Sequence, residues 1–369
     1  MGELSVSKEI IIGALSTVQE PDLKKDLVTL NMIKDVELGV GEVRFTVVLT
    51  TPACPLKEKI RQDCTDAIHK LVHPNLKVVI NMTAEVTTLQ TQDPLIPGVK
   101  NVIAVASGKG GVGKSTVTAN LAMALKKAGA KVGILDADIS GPSIPVMFGA
   151  EDMQPLVQEV NGKNRIQPIN QYGIKLISMG FLAPTESPVP WRGPMMTQAL
   201  RQFFGDTNWE ELDYLLIDLP PGTSDIHLTL VQLIKLTGAV IVTTPQDIAL
   251  LDAKKGIKMF EKVGVPILGL VENMAVHICT QCGHAEHIFG EDGGKKMAAT
   301  YGMDYLGALP LNMQIRLQAD SGKPTVVADP DGDVAAIYKA MARLVAVKIA
   351  AKAKDFSSKF PSIKVSKDT

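Results

Sequence analysis

The spacing of apolar residues predicts a different kind of structure before and after residue 100. In the first part, apolar positions recur at helical spacing or alternate with polar ones over short stretches, and turn-forming residues separate these stretches. The predicted elements there are helix Lys8–Ser16, strands Met32–Leu38 and Val43–Leu49, helix Leu56–Leu71 and strand Leu76–Met82. Residues 1–90 are therefore expected to form a small α+β domain.

After residue 100, apolar β-branched runs alternate with stretches of helix-forming residues, which predicts a doubly wound, mainly parallel α/β sheet. The predicted strands are Val102–Ala106, Lys131–Leu135, Leu212–Ile217, Gly238–Thr243 and Pro266–Val271, and the last predicted helix is Arg343–Lys354. Residues 91–99 carry two prolines and no periodicity, so we expect a linker there. The second domain is expected over 100–350, with a tail over 351–369.

Composition and charge narrow the classes of function. The chain of 369 residues is long enough for two domains, and its formal net charge is −1. A near-neutral chain gives no sign of general nucleic-acid or membrane binding. No apolar run reaches the roughly 18 residues of a membrane span, and the N-terminus has no signal-peptide pattern. We therefore expect a cytoplasmic protein whose four cysteines are thiols or metal ligands.

A glycine-rich stretch follows the first strand of the second domain. It fits G-x-x-x-x-G-K-[ST] between a predicted strand and a predicted helix, the context that a phosphate-binding loop requires. Its backbone N–H groups and the helix N-terminus suit phosphate. We expect Lys114 to reach the β- and γ-phosphates and Ser115 to hold Mg²⁺. The predicted nucleotide-binding residues are Gly108, Lys109, Gly110, Gly111, Val112, Gly113, Lys114, Ser115 and Thr116.

Two aspartates follow other predicted strands. Asp138 comes shortly after Lys131–Leu135, and Asp218 comes directly after Leu212–Ile217. A carboxylate at the carboxyl end of a parallel strand, near a phosphate loop, can order Mg²⁺ or the attacking water. Asp218 is therefore predicted to bind the Mg²⁺ shell, as a Walker B aspartate does. For Asp138 the alternative is an N-cap of a helix.

Asn273 and Pro310 are candidates for contacting the base. Asn273 follows the predicted strand Pro266–Val271, and an asparagine amide can pair with the N6/N7 edge of adenine. The same amide can instead cap a turn. Pro310 can pack on the face of the ring.

A pair of cysteines in the second domain has the spacing of metal ligands. Cys279 and Cys282 are separated by two residues, so both sulfurs can bind one metal. One chain supplies only half of a four-thiolate site, and a symmetric dimer would complete it around a cluster on its two-fold axis. The alternatives are a redox dithiol and a zinc site within one chain, with His277, His284 or His287 as further ligands.

The other two cysteines lie in the first domain. Cys54 stands at a strand-to-helix turn, where a helix N-terminus can lower the pKa of a thiol, so it is a candidate accessory thiol. The alternative for Cys54 is a small buried residue. Cys64, on the predicted helix Leu56–Leu71, is expected in the core.

Lys109 gives the phosphate loop a second lysine, and Lys109–Ser115 resembles the deviant Walker A loop of the MinD/ParA group of ATPases. The resemblance implies that Lys109 reaches across a dimer interface onto the partner's nucleotide, where a cation stabilises the charge of phosphoryl transfer. Asp138 matches the switch I aspartate of that group, which implies that it orients or activates water. The resemblance also favours ATP as the nucleotide. A solvated loop charge is the alternative for Lys109.

Further motifs resemble those of Mrp/ApbC-type iron–sulfur cluster carrier ATPases over residues 100–345. These motifs are Lys109–Ser115, Asp136–Ser143, Trp191–Met195, Asp218–Thr223, Glu272–Met274, Cys279-x-x-Cys282 and Ile288–Gly290. Residues 1–90 resemble a small domain shared with SufT-type assembly factors. The resemblance implies a homodimer that binds a labile [4Fe–4S] cluster and passes it to apoproteins with ATP hydrolysis, alongside cluster assembly factors. Ser224 departs from the family's common pattern, which has glycine there.

Two other functions stay open on the sequence alone. A MinD/ParA-like positioning ATPase shares the loop and both lysines, but it requires a basic surface or an amphipathic anchor to act on DNA or a membrane. A zinc-stabilised regulatory ATPase would use the cysteine pair without moving a cluster.

Overall fold

The computed structural model describes residues 7–21, 25–49, 56–86, 93–138, 141–160, 162–181, 193–223 and 225–359. The chain forms two compact units, one with the residues up to 89 and after 345, and one with residues 90–345. The domain boundaries along the chain stay a prediction. Cys54 lies outside the described residues, as do Trp191 and Ser224.

The first unit is built on a three-stranded sheet. Its elements are α1 (Lys8–Leu15), β1 (Gln19–Glu20), β2 (Lys25–Asp26), β3 (Ile33–Gly39), β4 (Glu42–Leu49), α2 (Lys57–Leu71) and β5 (Lys77–Ala84). The strand order is β3–β4–β5, with β3 antiparallel and β5 parallel to the central strand β4. The predicted α+β organisation is confirmed, and the short pair β1–β2 was not predicted.

The core of this unit follows the predicted periodicities. On β4, Val43, Phe45 and Val47 are buried on one side, as the alternation indicates. On α2, the residues at helical spacing that join this core include Cys64 and Ile68. Cys64 is therefore a core residue, as expected, and burial raises the pKa of its thiol to about 12.

The second unit contains an eight-stranded sheet, two short hairpins and the helices that connect the strands. Its strands are β6 (Val99–Ser107), β7 (Val132–Asp136), β8 (Leu156–Val160), β9 (Lys163–Gln167), β10 (Ile169–Gln171), β11 (Ile174–Ser178), β12 (Leu212–Asp218), β13 (Gly238–Thr243), β14 (Ile267–Glu272), β15 (His277–Ile278), β16 (Ala285–Glu286) and β17 (Tyr305–Ala308). Its helices are α3 (Lys114–Lys127), α4 (Ile144–Met147), a 3₁₀ turn Met179–Phe181, α5 (Gly193–Gly205), α6 (Asp225–Leu233), α7 (Asp247–Lys262), α8 (Gly293–Thr300), α9 (Met313–Asp320) and α10 (Thr325–Ala328). The last helix, α11 (Asp333–Lys359), begins in this unit and ends after residue 345.

The sheet has the order β10–β11–β7–β12–β6–β13–β14–β17. Neighbouring strands are parallel except for β10, which is antiparallel to β11. The hairpins β8–β9 and β15–β16 stand outside this sheet. Because the parallel strands share one direction, their carboxyl ends meet at one edge, where ligands bind in such folds. The doubly wound, mainly parallel architecture is confirmed.

Several details differ from the sequence prediction. The strands β7 and β12 extend by one residue and end on Asp136 and Asp218 themselves. The last helix begins at Asp333, ten residues before its predicted start. The strands β11 and β17 were not predicted.

The described part of the predicted linker, from Asp93 onward, packs within the second unit. Ile96 is buried in its core. Asp93 Oδ1 accepts the N–H of Leu95 at 2.9 Å, and Asp93 Oδ2 accepts the N–H of Lys235 at 3.0 Å. Across the described ranges, no helix has both the length and the apolar composition that a membrane span needs.

Candidate functional site

The phosphate loop lies between β6 and α3, as predicted, and close packing explains two of its glycines. A Cβ on Gly108 would lie 2.1 Å from the carbonyl carbon of Asp252 in α7. A Cβ on Gly113 would lie 2.2 Å from Nδ2 of Asn273, and the φ of Gly113 is +84°. Any larger residue at these two positions would displace its neighbours. The loop is therefore packed tightly against α7 and against Asn273.

Three polar side chains meet at the start of α3. The ammonium of Lys114 lies 2.8 Å from Asp218 Oδ2, and it also donates to Ser115 Oγ at 3.2 Å. The hydroxyl of Ser115 donates to Asp218 Oδ2 at 2.5 Å. Asp218 is fully buried. The structure thus brings together the three residues that were predicted to handle phosphate and Mg²⁺.

The site has the donor set of a magnesium site. A hydroxyl oxygen and a carboxylate oxygen lie side by side at Ser115 and Asp218, and Mg²⁺ prefers such oxygen ligands. The Lys114 ammonium now neutralises this carboxylate. A bound nucleotide would offer Lys114 its phosphates instead, and Asp218 would then be available to the ion.

Thr118 is a polar contact of the site that the sequence analysis missed. Its hydroxyl is fully buried, 2.7 Å from Asp218 Oδ1 and 3.0 Å from the carbonyl oxygen of Lys114. The carboxylate is the stronger acceptor, so the hydroxyl donates to Asp218. A signal was present, because residues three apart on a helix share a face, and Thr118 is three residues after Ser115.

A cleft of about 200 Å³ opens over the loop. Residues of the loop, of the α4 region and of the segment after β12 line it: Ser107, Lys109, Gly110, Gly111, Gly113, Lys114, Ser115, Thr116, Asp138, Ser143, Met147 and Pro221. Asp138 Oδ2 lies 3.9 Å from the ammonium of Lys114, which places this carboxylate beside the predicted phosphate position. Ser143 is the N-cap residue of α4, so Asp138 does not have the capping role that was its alternative. The side chain of Lys109 is exposed.

Asp136 is a second buried carboxylate beside Asp218. Burial, and then the charge of Asp218, raise the pKa of Asp136 above its usual value. The sequence analysis gave this residue no role of its own.

Asn273 and Pro310 follow the neighbouring strands β14 and β17. The Nδ2 atom of Asn273 donates to the carbonyl oxygen of Val112 at 2.8 Å, so this buried amide holds the backbone of the phosphate loop. The bond uses one of the two hydrogens on that nitrogen, and a contact of the same amide with adenine stays a prediction. Pro310 is half-buried, and the preceding Leu309 donates its N–H to the carbonyl oxygen of Glu272 at 2.9 Å.

The two predicted metal-binding cysteines lie in the loop of the hairpin β15–β16. The N–H of Cys279 donates to the carbonyl of His284, and the N–H of Gly283 donates back to the carbonyl of Cys279, both at 2.9 Å. Cys279 is half-buried and Cys282 is exposed. The backbone N–H groups of Gln281 and Cys282, followed by the thiol of Cys282, lower the pKa of Cys279. The hairpin therefore presents two sulfurs, one of them inclined to ionise.

Two of the neighbouring histidines contact backbone carbonyl oxygens through one ring nitrogen. Nδ1 of His277 lies 3.2 Å from the carbonyl oxygen of Leu311, and Nδ1 of His287 lies 2.9 Å from that of Ala275. Within the part of the chain that is described, no group of three or more His, Cys, Asp or Glu side chains is placed to hold a metal ion.

The match to a protein family covers most of the chain. Residues 98–346 match the family described as the NUBPL iron-transfer P-loop NTPases, within the ParA group. This chain belongs to that family. Residues 8–79 additionally match a family described as iron–sulfur cluster assembly proteins. The two parts of the predicted resemblance are thus confirmed.

Individual relatives and solved structures agree with this family assignment. The iron–sulfur cluster carrier protein of Pseudomonas fragi is 57% identical over 72% of this chain and 92% of that relative. The one of Escherichia coli K12 is 45% identical over 93% of this chain and 92% of its own. A nucleotide-binding protein of Archaeoglobus fulgidus, solved in complex with ADP, is 41% identical with a TM-score of 0.55, over 64% of this chain and 90% of that one.

The cell division ATPase MinD of Pyrococcus furiosus shares the fold, with a TM-score of 0.50 and 24% identity over 66% of this chain and 98% of MinD. At this identity the likeness concerns the fold alone. The P-loop NTPase architecture of the second unit is therefore confirmed by structure as well as by sequence.

Proposed function

We propose that this protein is an ATP-dependent iron–sulfur cluster carrier of the cytoplasm, which binds a [4Fe–4S] cluster between two copies of the chain and passes it to apoproteins. The observation that carries the proposal is the presence, in one unit, of a phosphate loop and of a cysteine hairpin with half of a four-thiolate site. The names of relatives at 57% and 45% identity support the same cargo.

The nucleotide half of the mechanism follows from the contacts of Lys114. In the structure its ammonium pairs with Asp218 at 2.8 Å. A triphosphate carries more negative charge than one carboxylate, so Lys114 moves to the β- and γ-phosphates, and Ser115 and Asp218 are the residues that would hold Mg²⁺. The ion, when bound, neutralises charge on the transferred phosphoryl group. Asp138, beside the phosphate position, orients the attacking water, and Lys109 of a second copy stabilises the developing charge.

The cluster half follows from the hairpin. Thiolates rather than thiols bind iron, and the lowered pKa of Cys279 favours its thiolate. Cys282 is exposed, so both sulfurs can meet the same pair of a second copy. Each thiolate of the carrier is exchanged for one thiolate of the apoprotein during transfer, so the cluster moves without a change in its oxidation state. Slow hydrolysis suits such a switch, because the ATP-bound state must persist until a recipient arrives.

The test is anaerobic reconstitution with iron and sulfide, followed by the absorption spectrum and by counts of iron, sulfide and zinc per chain. We expect a coloured protein that loses its cluster in Cys279→Ser and Cys282→Ser but retains nucleotide binding. Cys64→Ala is the matched control, because Cys64 lies in the core of the other unit and should leave loading intact. A colourless wild-type protein with one equivalent of bound zinc would contradict the proposal. Retention on liposomes or on DNA in ATP would instead support a positioning ATPase.

A further inference from the structure

Three polar residues lie side by side at the carboxyl ends of three neighbouring strands. In the parallel register, Ser178 at the end of β11 pairs with Asp136 at the end of β7, and Asp136 pairs with Asp218 at the end of β12. All three residues are fully buried. Asp218 belongs to the proposed magnesium site, whereas Asp136 and Ser178 do not line the cleft.

The carboxylate of Asp136 accepts from the backbone N–H groups of Asp138 and Ile144. Its Oδ1 accepts the N–H of Asp138 at 3.1 Å, and its Oδ2 accepts the N–H of Ile144 at 3.3 Å. The hydroxyl of Ser178 donates to the same Oδ2 at 3.0 Å, and Ser178 Oγ in turn accepts the N–H of Gly180 at 3.0 Å. One buried carboxylate therefore joins Asp138 and Ile144 to the ends of β7 and β11.

Asp138 and residues next to Ile144 line the nucleotide cleft. Asp138 Oδ2 lies 3.9 Å from the ammonium of Lys114. Ser143 and Met147 line the same cleft. A carboxylate that must orient a water molecule works only within a narrow range of positions, because a small misplacement costs much of the rate. The contacts of Asp136 set that position from outside the cleft.

We propose that Asp136, oriented by Ser178, is a positioning residue that fixes Asp138 over the phosphate loop for ATP hydrolysis. The inference rests on the proposed function for its reaction. A carboxylate suits this role because three donors converge on its two oxygens. An asparagine at the same place would turn an N–H towards at least one of those donors, and that hydrogen bond would be lost.

The test is a double-mutant cycle of steady-state ATP hydrolysis on the full chain, with Asp136→Asn, Asp138→Asn and the double variant. We expect Asp136→Asn to lower kcat by about tenfold or more and to change KM by less than about threefold, as for a group that acts on the transition state. In the Asp138→Asn background, Asp136→Asn should lower kcat no further, because it acts through Asp138. A purely structural residue would lower kcat equally in both backgrounds, and that result would overturn the inference.

A milder pair of variants keeps the test decisive if Asp136→Asn folds poorly. Ser178→Ala removes one donor without a change in charge, and the loss of one hydrogen bond predicts a kcat lower by roughly 2- to 13-fold. Thr237→Val is the matched control. It removes the hydrogen bond in which the N–H of Val102 donates to Thr237 Oγ1 at 2.9 Å. Thr237 directly precedes β13, so this bond lies away from the carboxyl ends of the strands.

The control should lower the unfolding midpoint and leave kcat unchanged. If Ser178→Ala also lowers only the midpoint, Asp136 is structural and the inference fails while the carrier proposal stands. A wild-type protein that loads a cluster and hydrolyses no ATP would contradict the inference together with the hydrolytic step of the proposed function.

Discussion

The hydroxyl of Thr118 offers a sharp test of the buried site, because it can be removed with little change of shape. Valine in its place keeps both branches of the side chain and loses the donor to Asp218 at 2.7 Å. Thr118 and Asp218 are both fully buried, so no water replaces the lost bond without a rearrangement. Thr118→Val should therefore destabilise the second unit through one identified interaction.

The size of the effect follows from the charge of the acceptor. A hydrogen bond to a charged group contributes about 1.5–3 kcal/mol. Asp218 still holds Lys114 and Ser115, so we expect a loss near the middle of that range, about 2 kcal/mol in the free energy of unfolding. Thr118→Ser keeps the hydroxyl and loses one methyl group, for which we expect a loss of about 1 kcal/mol.

The assay is urea unfolding followed by tryptophan fluorescence. Both tryptophans of the chain, Trp191 and Trp209, fall within residues 90–345, so the signal reports on the second unit. With a slope of about 3 kcal/mol per molar urea, a loss of 2 kcal/mol lowers the midpoint by roughly 0.7 M. If Thr118→Val is as stable as the wild type, or if Thr118→Ser is the less stable of the two, the bond to Asp218 does not stabilise the fold and the reasoning is refuted.

Three further predictions concern the loop and the cysteines. Gly108→Ala should lower the melting temperature sharply and abolish nucleotide binding, because its Cβ would lie 2.1 Å from the carbonyl carbon of Asp252. Gly110→Ala is the control and should fold normally, because the nearest atom to its Cβ lies 3.8 Å away. Equal melting temperatures for the two variants would contradict this prediction. In the apoprotein, the lowered pKa of Cys279 gives more thiolate at neutral pH, whereas the pKa of Cys64 is raised to about 12. Cys279 should therefore react with iodoacetamide faster than Cys64. Mass spectrometry of the labelled peptides measures both rates, and faster labelling of Cys64 would contradict the prediction. Lys109→Ala should lower the rate of ATP hydrolysis and spare nucleotide affinity measured by calorimetry; a loss of affinity alone would place this lysine on its own nucleotide.

The sequence predicted the parts of the site that are set by local backbone. The order strand, glycine loop, helix fixes where Lys114 and Ser115 stand, because the loop and the first turn of α3 are continuous in the chain. The pair Cys279 and Cys282 was readable for the same reason, although β15 and β16 are too short to show a period. Such features need no knowledge of which distant strands become neighbours.

The contacts that depend on the order of strands could not be predicted in this way. Ser178 meets Asp136 only because β11 lies beside β7, and β11 was not recognised. The bond from Asn273 to Val112 joins residues 161 positions apart, so an isolated amide gave equal support to a base contact and to a turn. Thr118 was missed although its helix was predicted, because only the tertiary structure shows that Asp218 lies within reach.

Native mass spectrometry of the anaerobically reconstituted protein tests the central claim most directly, since it weighs chains and cluster together. The account predicts a dimer that carries one [4Fe–4S] cluster, with about two iron and two sulfide per chain, and a monomer without iron for Cys282→Ser. A cluster held entirely by a single chain, or a monomer that carries zinc alone, would contradict the claim that each copy supplies half of the site.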